Sequence, residues 1–490
     1  MWRTSSRTRP ATIRRSPRME KIMRKTAVAL ALVAFIAAGC TTTPTAPPAL
    51  DLPAGTGVDP ALERWWTDFN DPTLTALVDE ALTHNLDLRA AIARIDLARA
   101  QVKLAQKDLY PSVNLEGAAN RTKASEVGPF PLFGAPPTTN DFKVELNASY
   151  EVDLWGKFRA ATRAAQDDLL ASRYARETVR TVVAADVART YFQLLAADAQ
   201  LKLLEDTLKT RNETVTLQQD RYQGGVIGDY DLAQAEAERA AVAADVAVTR
   251  RAAAQFESAL AVLVGRSPRE VFDPTITRDV ATTWLVRVPE LPAGLPSNML
   301  QRRPDIRNVE AQLAAGNRRI DVARADYFPS LSLTGNYGSE SGALKNLFSG
   351  PAVIWSIAAS LAQPLIGLKA IEANVESKTA TRDQLVVTYQ QTVQTAFKET
   401  HDALVANQTM RDALAAQTER RTKLERALDL AGLRYRSGYS PYLEVLDAQR
   451  QLLQAQTLQI LAARDVRLAV VDLAKALGGG WEYKSDVAAE

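Results

Sequence analysis

This chain of 490 residues has few of the side chains on which catalysis and metal binding depend. It contains one cysteine and two histidines, and the histidines, His84 and His401, lie far apart in the sequence. No nucleophile–base set, phosphate-binding loop or metal-ligand spacing accompanies them. We expect both histidines to be surface or packing residues. The sequence predicts a protein that is not an enzyme and that holds no metal ion or other cofactor.

An excess of charge of one sign is also missing. The 59 basic and 57 acidic residues nearly cancel, which argues against a nucleic-acid partner. The apolar run at residues 27–38 is too short to cross a bilayer as a permanent helix. Because it follows a basic stretch at 21–25 and ends in small residues, it is typical of a secretory signal peptide.

The single cysteine, Cys40, comes directly after Ala37-Ala38-Gly39, an order that resembles a bacterial lipobox. We expect residues 1–39 to be a signal peptide with an extension upstream of the natural start, and Cys40 to be acylated. Thr41, rather than an aspartate, follows the cysteine and favours export to the outer membrane. Residues 40–60 are rich in Thr, Pro, Ala and Gly and predict a flexible tether.

Four short motifs occur twice, in the same order and about 213 residues apart. They pair 108–115 with 326–333, 154–156 with 365–367, 221–225 with 434–438, and 260–261 with 473–474. Such a duplication indicates two structural units of the same shape. The predicted parts are a first repeat (61–265), a connector that packs outside the helices (266–297), a second repeat (298–477) and a C-terminal tail (478–490).

The clearest strand pattern covers residues 142–154, where apolar and polar residues alternate without interruption. Alternation gives a strand one apolar and one charged face. A half-buried sheet in a soluble protein would show it too, but these 13 residues exceed the usual 5–6, whereas 9–11 tilted residues cross a bilayer. In an exported lipoprotein the pattern favours the wall of an outer-membrane barrel.

Similar alternation after Ser112 and at 331–337 and 353–361 predicts one hairpin for each repeat and four strands for the chain. Four strands cannot close a barrel, since about eight are the minimum. Open edges in lipid would leave backbone groups without hydrogen bonds, at several kcal/mol each. The chain must therefore assemble with copies of itself. Two copies would supply eight strands and three would supply twelve, and the residues alone do not choose between them.

Residues 157–222 contain neither proline nor glycine and predict a helix roughly 100 Å long. Coiled-coil-like heptad spacing relates the apolar residues Leu194, Leu201, Leu208 and Val215, with Leu204 on the same seam. Other helices are predicted at 74–109, 229–264, 298–326, 368–435 and 441–477. The lengths indicate that two shorter helices, stacked end to end, line each long one.

Four segments together resemble the outer membrane factor family of TolC-like ducts, in the efflux lipoprotein branch of the nodulation protein T type. They are residues 65–74, 302–306, 323–330 and 442–450. The resemblance implies a mainly α fold with a membrane β-barrel, built from two tandem repeats that each combine a β-hairpin with long coiled-coil-like helices. It further implies a homotrimer that forms a 12-stranded barrel on an α-helical periplasmic tunnel.

The same resemblance implies the function. The chain would be the outer-membrane channel of a tripartite efflux system, a passive, lipid-anchored duct with a large periplasmic portion that exports small molecules. Its expected partners are a periplasmic adaptor protein, an inner-membrane pump of the RND type and outer-membrane lipid. A duct for type I protein secretion is an alternative. A non-channel periplasmic coiled-coil lipoprotein would explain the heptads but not the four strands.

The resemblance also assigns residues. It places Tyr435, Leu443, Asp447 and Arg450 at the periplasmic gate, where the tunnel narrows. It assigns contact with the adaptor to the turns at the periplasmic tip, through Arg221, Tyr222, Gly225, Arg434 and Gly438.

The spacing of Leu443, Asp447 and Arg450 puts the three gate residues on one helix face. Threefold symmetry would turn Asp447 into an acidic ring, and rings of charge gate pores. An ordinary surface ion pair between Asp447 and Arg450 is the alternative. The first repeat has Tyr230, Gln234 and Ala237 at the equivalent positions, so a gate here would differ between the repeats.

Overall fold

The computed structural model describes residues 63–125, 138–276, 278, 288–289 and 303–481. The predicted signal peptide, Cys40 and the tether lie outside these residues, so what is expected of them stays a prediction. Among the residues described, no helix combines the length with the apolar character that crossing a bilayer requires.

The described parts of the two repeats fold into similar successions of elements, except that two helices precede the hairpin in the first repeat and one precedes it in the second. The first comprises α1 (Pro72–His84), α2 (Leu86–Gln106), β1 (Ser112–Lys123), β2 (Thr138–Glu151), α3 (Lys157–Gln223) and α4 (Asp229–Leu263). After the short helix α5 (Pro268–Phe272), the second comprises α6 (Pro304–Ala325), β3 (Ser330–Ser341), β4 (Val353–Ala362), α7 (Leu368–Arg436) and α8 (Tyr442–Ala476). The predicted long helices and hairpins are confirmed to within a few residues. Residues 298–302, expected to belong to α6, lie outside the described part.

The four strands form one antiparallel sheet in the order β1-β2-β3-β4. One row of opposed residues across all four strands is apolar: Leu115, Leu146, Tyr337 and Trp355. The adjacent row on the opposite face is polar: Asn114, Asn147, Asn336 and Ser356. The predicted two-faced sheet is therefore confirmed. Residues 152–154, expected in the strand, lie beyond its end at Glu151.

The long helices alternate with stacked shorter ones. Helix α3 packs against α1, α2 and α4 of its own repeat and against α6 and α8 of the second, and α7 packs against α6 and α8. On the predicted heptad seam, Leu204 is buried with Val242 and Val246 of α4, while Leu201 and Leu208 pack around them. The expected end-to-end arrangement of shorter helices along the long ones is confirmed.

The expected single helix over 74–109 is wrong, because the helix breaks at Asn85. The Asn85 side chain accepts hydrogen bonds from the backbone N–H groups of Asp87 at 2.9 Å and Leu88 at 3.2 Å, so it caps the start of α2. Its amide also donates to the Leu263 carbonyl at the end of α4, at 2.8 Å. A Cβ on Gly265, whose φ is +79°, would lie 2.4 Å from the His84 carbonyl oxygen. The end of α4 therefore packs against the break between α1 and α2.

The second repeat has an equivalent junction built from different side chains. Pro304 is the first residue of α6, and the preceding residue, Arg303, is almost fully buried. Its guanidinium donates to the Ala476 carbonyl at the end of α8 at 3.0 Å and pairs with Asp305 at 2.7 Å and Glu399 at 2.8 Å. The guanidinium thus joins the end of α8 to α6 and α7.

The largest hydrophobic core lies around these junctions and includes Trp65, Trp66, Tyr191 and Phe192. Trp481 is also buried, and its ring stands edge-on to Tyr174 with 6.2 Å between centroids. The expectation that the chain becomes a loose tail at residue 478 is therefore wrong for the described residues 478–481. The glycines at 478 and 480 have positive φ and turn the chain back onto the core.

Two described parts of the connector contact the helices. Arg278 pairs with Asp198 of α3 at 2.5 Å and with Glu257 of α4 at 2.7 Å. The Pro289 carbonyl accepts a hydrogen bond from Arg411 of α7 at 2.8 Å.

Replacing Arg303 by alanine should lower the free energy of unfolding by about 2–4 kcal/mol, because it removes the buried guanidinium that donates to the Ala476 carbonyl and to the carboxylates of Asp305 and Glu399. Thermal unfolding of the detergent-solubilised protein, followed by circular dichroism, measures the change. Arg64→Ala is the control, since the Arg64–Asp79 pair is about half exposed and should contribute less than about 1 kcal/mol. Equal effects of the two substitutions would contradict the role of Arg303.

Candidate functional site

Two tight turns, one in each repeat, lie at the ends of the long helices. In the first, the Val226 N–H donates to the Arg221 carbonyl at 2.9 Å, and in the second the Tyr439 N–H donates to the Arg434 carbonyl at 2.9 Å. The glycines within the turns, Gly225 and Gly438, have φ of +68° and +75°. Residues with a Cβ rarely adopt this conformation, which explains why a glycine recurs at both places.

The structure joins two residues that the sequence assigned to different roles. Arg221, expected in the adaptor-contacting turn, donates to the hydroxyl of Tyr435, expected in the gate. The Arg221 guanidinium also lies 5.5 Å from the centroid of the Tyr435 ring, within range of a cation–π interaction. The contact links the end of α3 to the end of α7 and thus connects the two repeats.

Tyr435 is held from its other side by a small apolar cluster. Its ring centroid lies 5.5 Å from that of Tyr442, which is buried with Val445 and Leu446 of α8. Burial raises the pKa of the Tyr442 hydroxyl above its ordinary value. The Tyr435 ring that Arg221 contacts is thus also packed against residues of α8.

The charged gate residues have partners that the sequence did not indicate. Arg450 donates through Nε to Glu238 of α4 at 2.8 Å, and this hydrogen bond raises the pKa of the guanidinium. Asp447 accepts a hydrogen bond from Gln451, one helical turn away, at 2.5 Å. The arrangement differs from the simple Asp447–Arg450 ion pair considered as an alternative. Glu238 was missed because it follows Ala237, the residue that the repeat aligns with Arg450, and no local pattern marks it.

A third link between the repeats lies farther from the turns. Arg211 of α3 is buried and donates to the side-chain oxygen of Gln449 in α8. Burial lowers the pKa of Arg211. This residue, too, was missed, because its partner lies 238 positions away.

Other predicted residues of the tip remain at the surface. Leu443 is 49% exposed, and Tyr222 and Arg434 are exposed as well, with Arg434 Nε 3.4 Å from Glu444. Leu443 and Asp447 are both exposed on α8, next to the three contacts described above.

A sheet with one apolar and one polar face, continuous with long paired helices, defines a subunit of an outer-membrane channel. The family model described as outer membrane efflux protein matches residues 77–266 and 295–479, and the chain belongs to that family.

Known relatives are similar to this chain over most of its length. The toluene efflux pump outer membrane protein TtgC of Pseudomonas putida is 35% identical over 474 residues, which cover 94% of this chain and 96% of that protein. The cation efflux system protein CusC of Escherichia coli is 33% identical over 418 residues, 85% of this chain and 88% of that protein. The solved outer membrane channel CmeC of Campylobacter jejuni has a TM-score of 0.84 at 30% identity, over 90% of this chain and 96% of that chain.

The chain is therefore the outer-membrane channel component of a tripartite efflux system, with an adaptor protein and an inner-membrane pump as its partners. The roles expected for the individual tip residues stay predictions.

Arg221→Ala should increase single-channel conductance in planar bilayers, because it removes the link between α3 and α7 at the tip. A hydrogen bond from a charged group contributes about 1.5–3 kcal/mol, enough to shift a closed-to-open ratio roughly tenfold or more. Lys202→Ala is the control, since Lys202 pairs with Asp206 within α3 at 3.2 Å and does not join the repeats. Unchanged conductance in Arg221→Ala would contradict a role of the Arg221–Tyr435 contact in keeping the channel closed.

Proposed function

We propose that three copies of this chain close a 12-stranded barrel on an α-helical periplasmic tunnel, and that the trimer is a passive duct for small molecules delivered by a pump of the RND type. The observation that carries the proposal is the sheet. It has one apolar and one polar face, and β1 and β4 form its two edges.

The two faces match the two environments of a barrel wall. Two residues of the apolar row, Tyr337 and Trp355, are exposed in the single chain. In a barrel, lipid would cover them. The polar row faces the other way, toward a water-filled lumen. On that face Glu145 accepts hydrogen bonds from Asn147 at 3.1 Å and Asn336 at 2.9 Å, and pairs with Lys143 at 2.9 Å. These polar groups satisfy one another where the wall lines the lumen.

The edges of the sheet supply the reason to assemble. In lipid, the outward N–H and C=O groups of β1 and β4 need partners, and another copy of the chain offers them. Two or three copies would both close a barrel, and the likeness to TolC-like ducts favours three. A head-to-tail ring of this kind is a closed, heterologous assembly.

The helices support the same ring. Large apolar side chains are exposed on the helices at both ends of the packing order: Ile92, Leu97 and Leu104 on α2, Val248 and Val262 on α4, and Val387, Val405, Leu430 and Leu433 on α7. Because α2 and α4 lie at one end of that order and α7 at the other, α7 of one copy would cover α2 and α4 of the next. The helical wall would then close together with the barrel.

The gate is proposed at the tip, where Leu443 and Asp447 share an exposed surface of α8. Three copies would bring three Asp447 carboxylates around one axis. The hydrogen-bond partner of Asp447 in the structure is the neutral amide of Gln451. The lipid anchor at Cys40 and the contact of the tip turns with the adaptor belong to the same proposal.

The orientation of the wall can be tested with two neighbouring substitutions in β4. Ile357→Arg places a charge on the lipid face and should destabilise the inserted barrel by about 2–4 kcal/mol if it lies near the bilayer midplane. Ala358→Arg places the same charge on the lumen face and should leave insertion intact while changing ion selectivity. Heat-modifiable migration in gels measures insertion, and planar-bilayer recording measures selectivity. The reverse pattern would show that the faces are misassigned.

Deletion of the gene in a strain with an intact pump should increase sensitivity to solvents, dyes, antibiotics or metal ions, because the pump loses its exit. Unchanged sensitivity together with a defect in protein secretion would favour the type I secretion duct instead.

Native mass measurement of the detergent-solubilised protein should give three chains. A monomer in mild detergent would remove the shared barrel.

A further inference from the structure

The turn between β4 and α7 carries two apolar side chains that stand almost free of the chain. Leu365 is 82% exposed and Ile366 is 95% exposed. The following residue, Gly367, has a φ of +95° and begins the long helix, as Gly156 does in the first repeat with a φ of +77°. The two turns therefore share a glycine in the left-handed conformation directly before the long helix, and the first turn shows which contacts such a turn can make.

In the first repeat this turn is anchored to the second. Trp155 stacks on Phe328 with 4.7 Å between ring centroids and donates through Nε1 to the Pro329 carbonyl at 2.7 Å. Two residues farther along, Lys157 pairs with Asp326 at 2.8 Å. The β2–α3 turn of one repeat thus rests on the α6–β3 turn of the next.

The repeat provides the matching surface for Ile366. Tyr110-Pro111, between α2 and β1, is the first-repeat equivalent of Phe328-Pro329, and Tyr110 is 70% exposed. Within one chain the two surfaces cannot meet in the same way, because they adjoin β4 and β1, the opposite edges of the sheet. A second copy of the chain brings them together.

We infer that Leu365 and Ile366 of one copy pack on Tyr110 and Pro111 of the neighbouring copy, so that the subunit seam reproduces the seam between the repeats. The inference rests on the ring under Proposed function and adds the residues that form it. Leu368 stands where the first repeat has Lys157, so this seam is apolar where the internal one also has an ion pair.

The tip follows the same rule. Within the chain, Arg221 contacts Tyr435, and the repeat aligns these residues with Arg434 and Tyr222. Arg434 of one copy therefore contacts Tyr222 of the next, and both are exposed in the single chain. Placing the second repeat of one copy beside the first repeat of the next accounts for exposed residues at both ends of the helices.

Paired cysteines test the inference, since Cys40 is the one native cysteine. The double variant Ile366→Cys, Tyr110→Cys, treated in membranes with a short bifunctional maleimide, should give covalent dimers and trimers on denaturing gels. The matched double variant Trp155→Cys, Phe328→Cys should be linked within one chain and migrate as a monomer. Arg434→Cys with Tyr222→Cys should link chains, whereas Arg221→Cys with Tyr435→Cys should not. Each single variant controls for links between identical positions.

A photo-reactive amino acid at Ile366 provides a second measurement that leaves Tyr110 intact. It should attach to the tryptic peptide of residues 108–121, with the two peptides coming from different copies in a mixture of isotopically light and heavy chains. Three chains by native mass with no product between Ile366 and that peptide, and no interchain product from the cysteine pair, would overturn the inference while leaving the ring standing. A monomer by native mass would overturn both.

Discussion

The whole structure depends on the two places where shorter helices meet end to end beside a long one. A helix end leaves carbonyl groups without partners, and at these buried junctions a side chain must supply the donors. Asn85 supplies one to Leu263, and Arg303 supplies one to Ala476. The two repeats thus satisfy the same requirement with different chemistry, an amide in the first and a guanidinium held by two carboxylates in the second.

These junctions set the distance between the two working ends of the chain. Helix α3 has 67 residues, about 100 Å at the usual rise, and its neighbours on either face reach that length only as stacked pairs. If a junction shifted along the long helix, the hairpin at one end or the turn at the other would no longer be aligned with the equivalent element of the next repeat. The largest hydrophobic cluster of the described residues lies around the junctions, where that register is set.

Features with a local period could be predicted from the sequence, and features that depend on distant contacts could not. Alternation at 142–154 marked the strand, and the proline- and glycine-free stretch marked the long helix. The break at Asn85 was missed because its compensation comes from Leu263, 178 residues away. Trp481 and Glu238 were missed for the same reason, since their neighbours belong to other helices. The family resemblance identified the tip region, but the pairing of Arg221 with Tyr435 required the structure.

The tip contains residues that occur in both repeats and residues that occur in only one. Arg-Tyr occurs at the same place in both repeats, so its contacts can recur six times around a ring of three chains and hold neighbouring helices together. Asp447 and Arg450 occur only in the second repeat, and Glu238 comes from the first. In the proposed ring of three chains, these three residues would reduce an approximately sixfold wall to threefold symmetry. A constriction that has only threefold symmetry has to come from residues that differ between the repeats, because residues common to both repeats would recur six times around such a ring.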